Sequence, residues 1–221
     1  MPMIRELFHP GDIFSFRFSD GDTLDWDILD VDEEEGIFLA VTRSCGVKSE
    51  FNYRGLKYIQ KRELLEEEGL LGYAASDIKR WIDSKFHQDF VYRNGINKRV
   101  FVSKKNWEDT KEIKDTEIVP IRFKMKYSNS LYYFSNEYGN KLEQHEMERH
   151  GIDCMYSLLS REMYFKYQHE MKLDEDHVPF WIGDTFIKKP YVIENRLPKI
   201  TDYVEYADVR VVGCFRYVGE N

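Results

Sequence analysis

The chain has little of what marks secretion, membrane insertion or phosphate chemistry. Three cysteines, Cys45, Cys154 and Cys214, are spread over 221 residues. An odd number at wide spacing gives neither a disulfide framework nor a zinc pattern. No run of about 18 apolar residues occurs, which excludes an ordinary transmembrane helix. The opening Met1-Pro2-Met3-Ile4-Arg5-Glu6 lacks the apolar stretch of a signal peptide. A reduced, cytoplasmic protein without membrane attachment is therefore expected. There is no Gly-rich phosphate loop and no Gly-x-Ser-x-Gly elbow. Internal repeats, low-complexity tracts and obvious linkers are missing too, so the 221 residues read as one domain.

What is present is apolar and aromatic. Hydrophobic residues make up 42% of the chain and aromatics 15%, enough to fill a sizeable core and exclude global disorder. The net charge of −8 is unevenly spread. Between Ser19 and Gly36 stand nine acids and no Lys or Arg, whereas Arg93 to Lys126 holds ten basic residues against five acids. Solvated turns and strand edges account for both runs; opposed functional surfaces are the alternative.

Period-2 alternation marks the first third as strands. Phe14, Phe16 and Phe18 alternate with more polar residues after the turn at Pro10-Gly11-Asp12. Leu24, Trp26 and Ile28 then face one way with aspartates opposite, and Ile37 to Val41 follows the acidic turn Glu33-Glu34-Glu35-Gly36. Three such strands joined by short turns predict an antiparallel meander. Leu56 to Glu68 reads as helix, with Gly69 as its stop. A second helix is predicted from Ser76 to Phe90. Ser76 is its cap, Asp77 is favourably placed for the dipole, and Ile78, Trp81, Ile82, Phe86 and Phe90 form its apolar stripe. Lys98 to Ser103 reads as a strand and Asn106 to Glu117 as a polar loop. Asn136 to Leu173 favours helix, with Met155, Leu158, Leu159 and Met163 as a stripe. Strands return at Phe180-Trp181-Ile182, Tyr191-Val192-Ile193, Tyr203 to Tyr206 and Val209 to Tyr217. The fold class is α+β, with a mixed, mainly antiparallel sheet that unites N- and C-terminal strands, flanked by helices.

Three segments carry a resemblance. Gly11-Asp12-Ile13 through Trp26-Asp27-Ile28-Leu29-Asp30-Val31, Ser76-Asp77-Ile78-Lys79-Arg80-Trp81-Ile82 through Phe86, and Phe180-Trp181-Ile182 through Val209-Arg210 together resemble a Firmicutes-type bacterial domain family of unknown function. That family is similar to the C-type-lectin-like fold shared with formylglycine-generating enzymes. The resemblance implies paired terminal strands, flanking helices and a long irregular insertion that carries the ligand surface. Gly183-Asp184 departs from the family's Arg-Ser, and Val211 stands where it has Pro. No functional residue is carried over from the family.

His145 and His150 are five residues apart, so on a helix the second turns about 140° from the first, against the four-residue spacing of a zinc helix. His169-Glu170 with Asp174-Glu175-Asp176-His177 concentrates metal-ligand types, but the ordered calcium-loop pattern is missing. A solvated connection is expected there, although the lectin-like resemblance keeps a carboxylate-rich calcium loop in view. Copper-binding thiols of the formylglycine-generating type would need two close cysteines in a sequence setting this chain lacks. Cys214 reads as a small buried residue and Cys45 as the more accessible thiol. No metal, cofactor or catalytic residue is assigned. The aromatics Phe101, Trp107 and Phe123 interleave with the basic stretch, yet the acidic total and the lack of a nucleic-acid motif speak against direct nucleic-acid binding.

The expected function is non-enzymatic recognition of a protein or glycan through the irregular segments 106–129 and 174–189. The candidate binding residues are Lys104, Lys105, Trp107, Asp174, Asp176 and Asp184. The alternative is a phage or mobile-element protein that inhibits a host nucleic-acid-binding protein through phosphate-like acids between Asp20 and Glu35.

Overall fold

The computed structural model describes residues 4–18, 21–32, 37–42, 47–68, 72–86, 88, 99–104, 109–113, 117–128, 149–172, 178–186, 189–201 and 207–218. Within them the chain opens with a short helix α1 (Ile4–Leu7) and the strands β1 (Ile13–Arg17), β2 (Thr23–Asp32), β3 (Ile37–Thr42) and β4 (Lys48–Ser49). Helix α2 (Leu56–Glu67), a 3-10 turn (Gly72–Ala75) and helix α3 (Asp77–Phe86) follow. Next come β5 (Arg99–Ser103), β6 (Thr110–Ile113), β7 (Glu117–Ile121), β8 (Phe123–Ser128), β9 (Arg149–Cys154) and β10 (Tyr156–Leu158). Helix α4 (Arg161–Tyr167) precedes β11 (Phe180–Phe186), β12 (Lys189–Glu194), β13 (Leu197–Ile200), β14 (Ala207–Asp208) and β15 (Val211–Val218). The architecture is α+β and mainly antiparallel, as the alternation and helix signals imply.

The principal sheet runs β10-β15-β3-β2-β1-β5-β6, with β7 also paired to β15. The predicted meander is present: β1 and β2 pair antiparallel, as do β2 and β3. The N- and C-terminal strands share this sheet because β15 pairs with β3. Phe14 on β1 and Phe215 on β15 lie three strand spacings apart, about 14 Å in a flat sheet. Their ring centroids are 5.6 Å apart. The sheet therefore curls around its aromatics, and Phe8, Phe16, Trp26 and Phe38 fill the hollow with them. Trp26 folds toward Gly213, opposite which stands the small Ala40. Leu29 points to the other face in the ordinary alternation after Ile28, and a bulge between Ile28 and Asp30 then shifts the alternation by one, so that Val31 returns inward.

That other face is covered as well. Leu29, Val41 and Val212 pack with Tyr164 and Tyr167 of α4 and with Phe180, Ile182, Tyr191 and Ile193 of β11 and β12. The second sheet runs β13-β12-β11-β14-β4. Asn195 and Arg196, with φ of 51° and 65°, make the tight turn between β12 and β13. Trp181 faces the first core and donates Nε1–H to the Ser49 carbonyl at 2.7 Å, so β11 joins both cores. Helix α3 forms as predicted at its start: Ser76 Oγ accepts from Lys79 N at 3.2 Å, and Ile78 and Ile82 are buried. Trp81 is half-buried against the same core; Phe90 lies outside the described residues.

Several expectations are corrected. Within the predicted loop 106–117, Thr110–Ile113 is a strand hydrogen-bonded to β5. The predicted helix 136–173 is helical only at α4 among the described residues; Arg149–Cys154 and Tyr156–Leu158 are strands. His150 therefore lies in β9, opposite Tyr127, and not on a helix with His145, which is outside the described residues. Leu158 and Met163 share apolar surroundings through sheet packing, not as one helical stripe. The segment 174–189 is irregular only in part, since Phe180–Phe186 is strand. Tyr203 to Tyr206 lie outside the described residues.

Candidate functional site

Helix α2 has the sequence LKYIQKRELLEE and buries none of its residues. Ile59, Arg62 and Glu66 recur at spacings of three and four, and this stripe turns toward the body. Leu56, Gln60 and Leu64 fall at i, i+4 and i+8 on the outward side, where Leu56 is 70% and Leu64 60% exposed. The helix also has weak local support. Its N-cap is Gly55 without a side-chain cap bond, no acid occupies its first turn and no base its last.

Beneath α2 lies a cleft of about 280 Å³. Ile59, Arg62, Glu63 and Glu66 form the α2 wall. Phe51 and Asn52, Gly72 and Ala75 of the 3-10 turn, and Thr185 of β11 form the rest. Gly72 has φ +56°, the left-handed conformation that glycine adopts without strain.

The charged centre behind the cleft is Asp77, whose side chain is 1% exposed. It is ion-paired to Arg62 of α2 through Oδ2 and to Arg80 of α3 through Oδ1. Tyr53 N donates to Oδ2 at 2.9 Å, and Asp77 N donates to Asn52 Oδ1 at 3.2 Å. Arg62 Nη2 donates in turn to the Tyr53 carbonyl at 3.1 Å. Burial lowers the pKa of Arg62, against the raising pull of Glu66 and Glu63. Burial, with the neighbouring Arg62, also lowers that of Arg80. Both remain cations at neutral pH. One carboxylate thus holds two guanidinium groups from two helices.

No family model, no curated protein and no solved structure matches the chain.

Of the residues expected from sequence to bind a ligand, the two that are described, Lys104 and Asp184, do not line this cleft. Lys104, at the end of β5, points its ammonium to Asp12 Oδ2 at 3.1 Å, where His9 Nδ1 also approaches at 3.3 Å. Asp184 was expected in an irregular surface segment, but it is 3% exposed in β11 and accepts from Arg161 N at 2.5 Å. With the Ser160 cap it fixes the start of α4. Lys105, Trp107, Asp174 and Asp176 lie outside the described residues, as does Cys45. Arg62, Asn52, Glu63 and Glu66 were missed. The available signal was a helix with charged residues on the stripe that faces the body and leucines on the stripe that does not.

The acids of β2 are engaged within the fold. Asp25 accepts from Ser15 Oγ at 2.5 Å, and the buried Asp27 accepts from Lys172 N at 3.0 Å. Burial would raise the pKa of Asp30, but hydrogen bonds from Tyr167, the Val31 backbone and Lys166 hold it below the usual carboxylate range. Phe101 of the basic stretch lies beneath the guanidinium groups of Arg17 and Arg99, at 4.6 and 5.2 Å from its centroid.

Among the described residues no three metal-ligating side chains cluster, and no helix is long and apolar enough to cross a membrane. Burial pushes the Cys154 and Cys214 thiols up to about 12. Both are therefore expected to resist iodoacetamide at pH 8 in the folded protein and to react after denaturation, as peptide mass spectrometry would report. An unfolded thiol ionises near about 8.5. Their contribution to stability is thus complete below that pH and falls as the pH rises toward 12. Native labelling as fast as in urea would contradict this.

Proposed function

We propose that the chain is a recognition module on a C-type-lectin-like scaffold, related to the Firmicutes-type family it resembles. It binds a protein partner through α2 and the cleft beneath, with a glycan as the alternative ligand. The observation that carries this reading is the outward face of α2, where Leu56 and Leu64 stand exposed on a helix that contributes nothing to the core. Burying two leucines against a partner would contribute roughly 1.5–3 kcal/mol each. Glu63, Asn52 and Thr185, which line the cleft beneath the helix, offer polar groups for orientation. The shared sheet of β1 and β15, with α4 packed on its face, supports the lectin-like scaffold. The engagement of Asp25, Asp27 and Asp30 by donors of the fold favours recognition over imitation of phosphate by those acids.

The test compares wild type with Leu56→Ser/Leu64→Ser and with Asn52→Ala/Glu63→Ala, using quantitative capture from lysate and a glycan array. A protein is expected to bind wild type and to lose at least about tenfold in affinity to the double-serine variant at unchanged Tm. Equal binding by that variant would remove α2 as the contact. A sugar that binds and depends on Asn52 and Glu63 would make the ligand a glycan.

A further inference from the structure

We infer that α2 is a movable wall of the cleft, latched shut by Arg62 on Asp77, with Arg80 as the counter-ion that keeps Asp77 paired when the latch opens. This goes beyond the recognition reading, since it concerns the motion of the wall whatever the cleft takes.

Four observations carry it. Every residue of α2 keeps contact with solvent, so little apolar burial holds the helix down. Its own ends give it little support, for the reasons of capping and charge already described. A firm polar attachment of the helix runs through Arg62, which reaches both Asp77 and the Tyr53 carbonyl. Finally, the buried carboxylate at the other end is doubly served. When Arg62 leaves, Asp77 keeps Arg80 and the Tyr53 amide, so opening does not strand a buried charge. A buried acid with a single partner would lock the helix; two partners on separate helices make release possible. Gly55 and Gly72, which flank α2, supply the positions that change backbone angles most freely.

Amide hydrogen exchange of the full chain, read by mass spectrometry, tests the latch without any ligand. In wild type, α2 is expected to exchange at least about tenfold faster than α3. Arg62→Gln should raise exchange in α2 by about tenfold or more, the scale of one charged hydrogen bond, and leave α3 unchanged. Arg80→Gln should do the reverse and slow exchange in α2, because opening would then leave Asp77 without a counter-ion. A purely structural ion cluster gives a different pattern, with both variants loosening α2 and α3 together. That pattern, or equal protection of α2 and α3 in wild type, overturns the inference. Loss of partner binding by the leucine variant bears on the recognition reading and not on this one.

Discussion

Replacing Phe215 with alanine is expected to destabilise the protein by about 3–5 kcal/mol, the range for a large aromatic removed from a packed core. Phe215 is fully buried. Its ring lies 4.9 Å from Trp26, 5.4 Å from Phe16, 5.6 Å from Phe14 and 5.8 Å from Phe38, so truncation opens a void bounded by four rings from three strands. Rings held by a curled backbone cannot all move into that void at once, which places the loss toward the upper end. Urea unfolding monitored by tryptophan fluorescence measures it, since Trp26 reports on the same hollow. Leu197→Ala is the control: that side chain is 61% exposed, and its loss should stay within about 0.5 kcal/mol. A Phe215→Ala midpoint equal to that of the control would contradict the packing described for the hollow.

The second large effect is expected at Asp77. Removal of a buried ion's counter-charge destabilises by about 3–5 kcal/mol, far more than a surface pair contributes. Asp77→Ala strips two guanidinium groups at once, since the Arg62 and Arg80 side chains are only 16% and 25% exposed. It also leaves the Tyr53 amide without its acceptor. Arg62→Met should be far milder, because Asp77 keeps Arg80 and the amide. Thermal melts of the two variants should therefore separate clearly, with Asp77→Ala the lower. Equal Tm values for both would show that Asp77 does not organise the cluster.

Much of the scaffold could be read from the amino-acid order. Phe14 and Phe16, then Trp26 and Ile28, alternate strictly, and a sheet with one face in an aromatic hollow requires that period. Helix α3 was legible because Ser76, Asp77, Ile78 and Ile82 combine cap, charge and stripe in one short segment. The region around Met155 misled because Met155, Leu158, Leu159 and Met163 repeat at helical spacing. Two strands that turn at Met155 and then enter α4 produce the same spacing by accident. The bulge at Leu29 depends on the partner strand and leaves no local mark. The cleft was the least legible part. Asp77 read as an acid suited to a helix N-terminus, and nothing local to Arg62, 15 residues earlier, says that its charge is spent on that carboxylate. Such pairings are decided by tertiary packing.

Strand β15 sits inside the principal sheet, with β3 along one edge and β10 and β7 sharing the other. Its neighbour β3 lies about 170 residues earlier in the chain, a separation that weighs on folding speed. During synthesis the aromatic meander of β1 to β3 therefore emerges with one flank bare and stays so until the final strand arrives. Over that interval the nascent chain displays Phe14, Trp26 and Phe38 without their lid, beside an open row of backbone donors and acceptors. Its yield in a cell would then be governed by how well chaperones shield that flank before β15 slots in, more than by the final stability of the sheet.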